Sequence, residues 1–227
     1  MDRRKFVQAA SAGALLAGPA AGAKSRPAVL GGVPVRTEKF PAWPMFDQKE
    51  ERALVGTLKS ARWGRQNGDQ VPGFEREYSE FTGAQGCLAT TSGTTALLTA
   101  LAALDIGAGD EVLVPPYTFV ATINVVLLRN ALPVFVDTDP ETFLMDPKKL
   151  EAAITDRTRA ILPVHIGGSP CDMDGIMAVA QKHKLAVIED ACQAWVAQWK
   201  GRNVGLEGDC GSAFNRARTL RPVKVAR

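Results

Sequence analysis

The sequence predicts an α/β protein built on a mostly parallel, doubly wound β-sheet. Short runs of almost entirely apolar residues alternate with longer segments whose apolar residues recur at helical spacing. The apolar runs contain hardly any polar residues, which indicates strands covered on both faces, as in sheets with helices on either side. A composition of 46% hydrophobic and 22% charged residues is typical of a globular protein.

The first part of the chain predicts an arm followed by two helices. Pro and Gly recur throughout residues 24–48, which favours an extended arm over a helix or strand. Apolar residues at helical spacing then predict helices at 49–60 and 72–81. These helices open the main domain, which is predicted to span residues 49–211.

Strands and helices alternate through the remainder of this domain. Strands are predicted at 87–90, 111–114, 133–137, 160–164 and 185–188. The intervening helices are predicted at 96–104, 120–129, 148–154 and 174–183. Because parallel strands require such crossover connections, this order supports a parallel sheet.

The positive charge is concentrated at the two ends of the chain. The formal net charge is +3, but Arg3, Arg4 and Lys5 lie near the start, and residues 216–227 contain basic residues and no acidic one. Acidic residues outnumber basic ones between these ends, which argues against a nucleic-acid partner.

Residues 1–23 predict a twin-arginine signal peptide. The basic stretch RRKF precedes a short run rich in Ala and Gly, and AGA at 21–23 follows as a small-residue cleavage site. We therefore expect a bacterial protein that is exported in folded form to a periplasmic or other extracytoplasmic compartment, without a stable membrane span. The alternative is an unstructured terminus in which two arginines adjoin by chance.

No metal site is expected, although the chain has four cysteines and two histidines. The cysteines are far apart and form no Cys-x-x-Cys pair, so the ligand spacing of a zinc site is missing. We expect them to be small, buried side chains of the protein interior. The cysteines are Cys87, Cys171, Cys192 and Cys210.

Three polar clusters follow apolar strands, where open α/β sheets bind their ligands. The first, 91–95, leads from a strand into a helix, so its backbone N–H groups and hydroxyls can surround an anion. Gly93 allows close approach of the backbone to such a ligand. An ordinary Ser/Thr helix cap is the simpler explanation of this segment taken alone.

The second cluster, 116–122, contains Phe119, which can stack on a flat ring or fill the core. The third, 189–194, follows a very apolar strand, where a carboxylate stays ionised only with a cation or strong hydrogen bonds. Asp190 would suit the protonated nitrogen of a pyridine ring, and a helix cap or a structural ion pair is the alternative. Together, the anion site, the aromatic ring and the acid describe a site for pyridoxal 5′-phosphate (PLP).

Most of residues 50–210 resembles the DegT/DnrJ/StrS family of PLP-dependent sugar aminotransferases in residue type, order and spacing. The matching motifs include TSGTTALLTALAAL, PPYTFVATINVV and VIEDACQA. The resemblance implies the large domain of the fold type I, aspartate aminotransferase-like architecture. In this chain that domain would be incomplete at its carboxyl end.

The family pattern implies roles for individual positions. Gly93 and Thr94 match the phosphate-binding turn, and Phe119 matches the aromatic residue that stacks on the cofactor ring. Asp190 matches the acid paired with the pyridine nitrogen, and Gln193 matches the residue near the ring hydroxyl. The strand end that contains the histidine at position 165 frames the same crevice, and this histidine is expected to be structural.

The resemblance also implies an activity. Family members transfer an amino group from an amino acid, often glutamate, to a keto-sugar linked to a nucleotide, in glycan or polysaccharide biosynthesis. They are usually homodimers, so two-fold symmetry is expected. The chemistry requires a lysine that holds PLP as a Schiff base and moves protons.

The chain departs from the family pattern after Gly211. That pattern runs Gly-Asp-x-Gly-x-Phe-Ser-Phe-x-x-x-Lys, whereas here the lysine position falls on Arg218 or Thr219. Arginine cannot replace the lysine, because its guanidinium stays protonated and forms no imine. We therefore predict a shift of the reading frame near Ser212, which would make 212–227 an off-pattern basic tail and the product truncated.

Two functions remain open on the sequence alone. One is a sugar aminotransferase whose cofactor-binding half is this chain. The other is a catalytically inactive binding protein, or a fragment, that keeps the crevice but lacks the Schiff-base lysine. The alternative to the frame shift is a genuine short form, or a fragment whose partner chain supplies the rest.

Overall fold

The computed structural model describes residues 26–40, 45–215 and 218–220. The predicted signal peptide, residues 1–23, lies outside the described residues, as does the end of the predicted tail, 221–227.

The chain divides into two compact units, Met1–Ala53 and Leu54–Arg227. Within the first unit, residues 26–40 were predicted to belong to an extended arm. A 3-10 turn at Ala28–Leu30 is the only regular element in this stretch.

A six-stranded sheet forms the centre of the second unit. The strands of the described residues are β1 (Glu111–Val114), β2 (Leu132–Phe135), β3 (Thr158–Ile161), β4 (Ala186–Ala191), β5 (Gln198–Trp199), β6 (Arg202–Asn203), β7 (Cys210–Asn215) and β8 (Arg218–Leu220). The sheet has the order β2-β1-β3-β4-β7-β8, and every neighbouring pair is parallel except β7 and β8. Strands β5 and β6 form a separate antiparallel pair. The predicted fold class is confirmed.

Each predicted helix is present, with small differences at the ends. The helices of the described residues are α1 (Gln48–Ser60), α2 (Gln70–Thr82), α3 (Gly93–Ala103), α4 (Ala121–Leu128), α5 (Leu150–Ala153) and α6 (Met173–His183). The helix predicted at 148–154 consists of a 3-10 turn, Pro147–Lys149, followed by α5. None of these helices has both the length and the apolar character needed to cross a lipid bilayer.

Side chains of the central strands alternate between two buried cores, one on each face of the sheet. On β1, Val112 and Val114 pack in the core that includes α3 and α4, whereas Leu113 packs in the core that includes α5 and α6. All three side chains are fully buried. Each face thus contributes apolar burial, worth about 25 cal/mol per Å² of apolar surface, which explains why the strands lack polar residues.

The prediction of a strand at 87–90 is wrong. Cys87 and Thr90 each form a single β-bridge, and no strand is present between them. The backbone N–H of Ala89 donates to the side-chain Oε1 of Glu75 at 2.6 Å. This donor is therefore used by a side chain and is not available to a neighbouring strand.

Strand β7 continues past the point where the sequence pattern fails. Ser212 lies opposite Asp190, and Ala213 lies opposite Ala191, in a parallel register with β4. Parallel pairing uses backbone groups, so the small side chains of Ser212 and Ala213 join the sheet without the family residues. The tail predicted from position 212 thus begins inside a strand.

Candidate cofactor site

A cavity of about 460 Å³ lies at the carboxyl ends of the parallel strands, where open α/β sheets bind ligands. Its walls are formed by Ser92, Gly93, Thr94, Leu97, Phe119, Ala121, Asp190, Cys192 and Gln193. All five residues of the predicted cofactor site are among them. The structure therefore brings together three clusters that are separated by up to about a hundred residues in the sequence.

The first turn of α3 presents backbone donors to this cavity. Ser92 caps the helix, because its Oγ accepts from the N–H of Thr95 at 3.1 Å and its own N–H donates to Thr95 Oγ1 at 3.0 Å. Among the described residues, no acceptor pairs with the N–H of Gly93 or Thr94. The helix cap considered from the sequence is thus present, and it leaves two N–H groups and the positive end of the helix dipole for an anion.

Phe119 lines the cavity and is 65% exposed. The alternative that this ring fills the core is therefore wrong. Its carbonyl accepts the N–H of Thr122 at 3.0 Å, which fixes Phe119 directly before the first turn of α4. An exposed aromatic ring at this position can contact the face of a flat ligand.

Asp190 lies near the end of β4 and is only 5% exposed. Its Oδ2 accepts a hydrogen bond from Thr122 Oγ1 at 2.9 Å, and its Oδ1 accepts one from the N–H of Cys192 at 3.1 Å. Ser212 Oγ lies 3.5 Å from Oδ1. No Lys, Arg or His of the described residues forms an ion pair with this carboxylate, so the structural ion pair considered from the sequence is absent there.

This environment favours a particular class of ligand. A carboxylate that is nearly buried and held by neutral donors gains strongly from a positively charged or N–H-bearing partner. Because Asp190 forms part of the cavity wall, a ligand in the cavity can supply that partner.

Gln193 is exposed and forms another part of the cavity wall. Its Oε1 accepts a hydrogen bond from the N–H of Gly167 at 3.0 Å. This contact orients the side chain through its oxygen and leaves the NH₂ group available to a ligand.

Sequence reasoning missed the hydroxyl groups around Asp190. Thr118 lies in the segment before α4 and Thr122 lies in the first turn of that helix, and their Oγ1 atoms lie 2.7 Å from each other. The Thr-x-x-x-Thr spacing within the second cluster was a signal for this pair. Ser212 had no such signal, since only the pairing of β7 with β4 brings it beneath Asp190.

The expectation that all four cysteines are buried is right for two of them. Cys171 and Cys210 are buried, whereas Cys87 and Cys192 are half-buried. Cys192 differs because it forms part of the cavity wall, with its Sγ 3.4 Å from Ser212 Oγ.

Known proteins of similar sequence belong to a family of aminotransferases. The profile of the DegT/DnrJ/EryC1/StrS aminotransferase family matches residues 45–220. L-glutamine:2-deoxy-scyllo-inosose aminotransferase of Streptomyces lividus is 42% identical over 190 residues, which are 82% of this chain and 45% of that protein. GDP-perosamine synthase of Caulobacter vibrioides is 46% identical over 171 residues, which are 75% of this chain and 46% of that protein.

A solved structure of a similar protein contains a bound cofactor. NtdA from Bacillus subtilis, with its bound cofactor PMP, superimposes with a TM-score of 0.71 at 33% identity, over 83% of this chain and 46% of that one. The chain spans about half the length of the curated relatives it matches. Since the family profile covers most of the chain, the protein belongs to the DegT/DnrJ/EryC1/StrS family of PLP-dependent aminotransferases.

Proposed function

We propose that the cavity is the cofactor site of a PLP-dependent sugar aminotransferase and that this chain forms its cofactor-binding half. The observation that carries the proposal is Asp190, a nearly buried acid in the cavity wall with neutral donors and no cation among the described residues. A protonated pyridine nitrogen would supply the missing partner through a charge-assisted hydrogen bond.

The other walls fit the remaining parts of PLP. The N–H groups of Gly93 and Thr94 suit the phosphate, Phe119 suits one face of the ring, and Gln193 suits the ring hydroxyl. A volume of about 460 Å³ is in the range of small-molecule sites. When bound, PLP supplies the electron-accepting ring on which amino-group transfer depends.

With PLP bound in the cavity, the described residues would have the following roles. Asp190 keeps a proton on the ring nitrogen, because its carboxylate is stabilised next to a positive charge. Thr122 and the N–H of Cys192 hold that carboxylate in place. The first turn of α3 binds the anionic end and thereby sets the orientation of the ring.

For the substrates, we propose an amino acid as amino donor and a keto-sugar, or a related cyclic ketone, as acceptor. Support comes from the relatives' names, which refer to L-glutamine with 2-deoxy-scyllo-inosose and to GDP-perosamine. The acceptor is proposed to be linked to a nucleotide and to serve glycan or polysaccharide biosynthesis.

Within the part of the chain that the structure describes, no lysine lines the cavity. Strand β7 runs parallel to β4, with Ser212 opposite Asp190, so the chain leaves β7 after Asn215 at the cavity end of the sheet. A lysine a few residues after β7 would therefore emerge beside the cavity. We propose that the gene encodes such a lysine in another reading frame.

The genetic code permits such a frame shift at this point. Residues 212–218 can be encoded by a string such as TCA-GCT-TTC-AAT-CGA-GCA-AGA, which would read Ser-Phe-Gln-Ser-Ser-Lys from its third base. That reading matches the Ser-Phe-x-x-x-Lys part of the family pattern, so the nucleotide sequence of the gene tests the proposal directly.

A catalytically inactive PLP-binding protein is the second candidate function. It is favoured by one observation, the absence of lysine among the described residues that line the cavity. The two candidates share the cofactor site and differ in whether the functional gene product contains the lysine.

We further propose that the protein is exported through a twin-arginine signal and acts as a homodimer. The basic stretch and the small-residue cleavage site within residues 1–23 support export. A pair of exposed rings supports a partner subunit, since Tyr117 and Phe143 are each more than half exposed and lie 5.6 Å apart between ring centroids.

The cofactor site is tested by comparing two ligands that need no lysine. We expect the 227-residue chain to bind pyridoxamine 5′-phosphate (PMP) at least about tenfold more tightly than pyridoxamine, because only PMP has an anion for the first turn of α3. Isothermal titration calorimetry measures both affinities. Equal affinities, or no binding of PMP, would contradict the proposed site.

A further inference from the structure

The carboxylate of Glu189 is fully buried and is saturated with donors. Its Oε2 accepts hydrogen bonds from His165 Nε2 at 3.0 Å and from the N–H of Gly205 at 2.8 Å. Its Oε1 accepts from the N–H groups of Glu207 at 2.8 Å and Gly208 at 2.7 Å. Four donors converge on this carboxylate, and only its ionised form offers each of them an oxygen lone pair. Glu189 is therefore ionised.

His165 is also fully buried, and its hydrogen bonds define its charge. The N–H of Cys171 donates to His165 Nδ1 at 3.0 Å. Because this nitrogen accepts a hydrogen bond, it carries no proton, so the ring is neutral and donates its Nε2 proton to Glu189. The pair thus keeps one net negative charge, and His165 is the only basic side chain of the described residues that contacts Glu189.

The backbone groups of His165 and Pro163 also hold the backbone of Asp190. The N–H of His165 donates to the Asp190 carbonyl at 3.0 Å, and the N–H of Asp190 donates to the Pro163 carbonyl at 2.9 Å. Successive side chains of a strand point to opposite faces, so Glu189 is anchored on one face of β4 while Asp190 reaches the cavity on the other.

We propose that Glu189 and His165 are positioning residues for the bound cofactor: they fix Asp190 in the cavity wall, and the buried charge of Glu189 favours the protonated ring nitrogen. This inference rests on the proposed cofactor site. The titratable groups around the ring would be Asp190 and Cys192 in the cavity wall, with Glu189 and neutral His165 behind them. Among the described residues, α3, α4 and β7 contribute hydroxyl and backbone groups to this region.

Glu189→Gln tests the charge, because glutamine keeps the size of the side chain and removes the negative charge. With PMP as the probe, we expect its bound ring nitrogen to lose its proton at a pH lower by about one unit or more in this variant. Nitrogen-15 NMR of ring-labelled PMP measures this pH.

Glu111→Gln is the matched control. Glu111 is another buried carboxylate, bonded to Thr155 and Arg157, but it is the first residue of β1 and lies at the amino end of the parallel strands. This variant is expected to leave the titration of the ring nitrogen unchanged. Thermal unfolding of both variants shows how much stability each substitution removes.

A folded Glu189→Gln variant that binds PMP with an unchanged ring titration would overturn the inference while leaving the cofactor site intact. If that variant does not fold, the protonation state of His165 in the unaltered protein, measured by NMR, tests the inference instead. A neutral ring protonated on Nε2 supports the inference, whereas a doubly protonated ring at neutral pH overturns it, because the pair would then carry no net charge. Failure of the unaltered protein to bind PMP would overturn the proposed function as well.

Discussion

Asp190→Asn is expected to weaken the binding of PMP by about ten- to a hundredfold. Asparagine can keep the contact with Thr122, but it lacks the negative charge that would pair with the protonated ring nitrogen. A hydrogen bond to a charged group contributes about 1.5–3 kcal/mol, which corresponds to that loss of affinity. Isothermal titration calorimetry at neutral pH measures the two dissociation constants.

Asp156→Asn provides the control for this substitution. Asp156 is exposed and lies outside the residues that line the cavity, so the same chemical change there is expected to leave PMP affinity unchanged. Equal PMP affinities of the Asp190 variant and the unaltered protein would show that this carboxylate does not contact the ligand. Unfolding curves of both variants separate lost affinity from lost folding.

Reduction with borohydride in the presence of PLP is expected to leave the 227-residue chain without stoichiometric covalent cofactor, because none of the described residues that line the cavity is a lysine. The product of a gene whose frame is restored after Gly211 is expected to carry one cofactor per chain, on the lysine that follows β7. Mass spectrometry of the intact chains and of their peptides distinguishes the two results.

PMP in place of PLP is the control, since an amine cannot be trapped on lysine by reduction. Stoichiometric attachment to one lysine of the 227-residue chain would contradict the account of the missing lysine. The nucleotide sequence through this region gives an independent answer. A gene in which no alternative frame encodes the Ser-Phe-x-x-x-Lys pattern would exclude the frame shift and favour the inactive binding protein.

Much of the fold was predictable because each strand and helix of a doubly wound sheet has a recognisable pattern of apolar residues within a short stretch of sequence. Leu113 and its neighbours on β1 are apolar because helices cover both faces of the sheet. The helices are recognisable because their apolar residues recur at helical spacing within each segment. The strand predicted at 87–90 failed for a non-local reason. A strand needs a hydrogen-bonded neighbour, and Ala89 bonds the side chain of Glu75 instead.

The cofactor site was predictable where each residue follows its own strand. Gly93, Phe119 and Asp190 could be placed together because the carboxyl ends of parallel strands share one edge. The supports of Asp190 could not be predicted in the same way. Thr122 and Ser212 reach it from a helix and from a later strand, and their contacts depend on packing that local patterns do not encode.

The pairing of an acid with a protonated ring nitrogen is tested most directly by following that nitrogen in bound PMP. Nitrogen-15 NMR of ring-labelled PMP, recorded as the pH is raised, reports its protonation. We predict that the bound ring stays protonated at pH values where free PMP has already lost its proton, because Asp190 stabilises the positive charge. A bound ring that loses its proton at the same pH as free PMP, or at a lower one, would contradict the account.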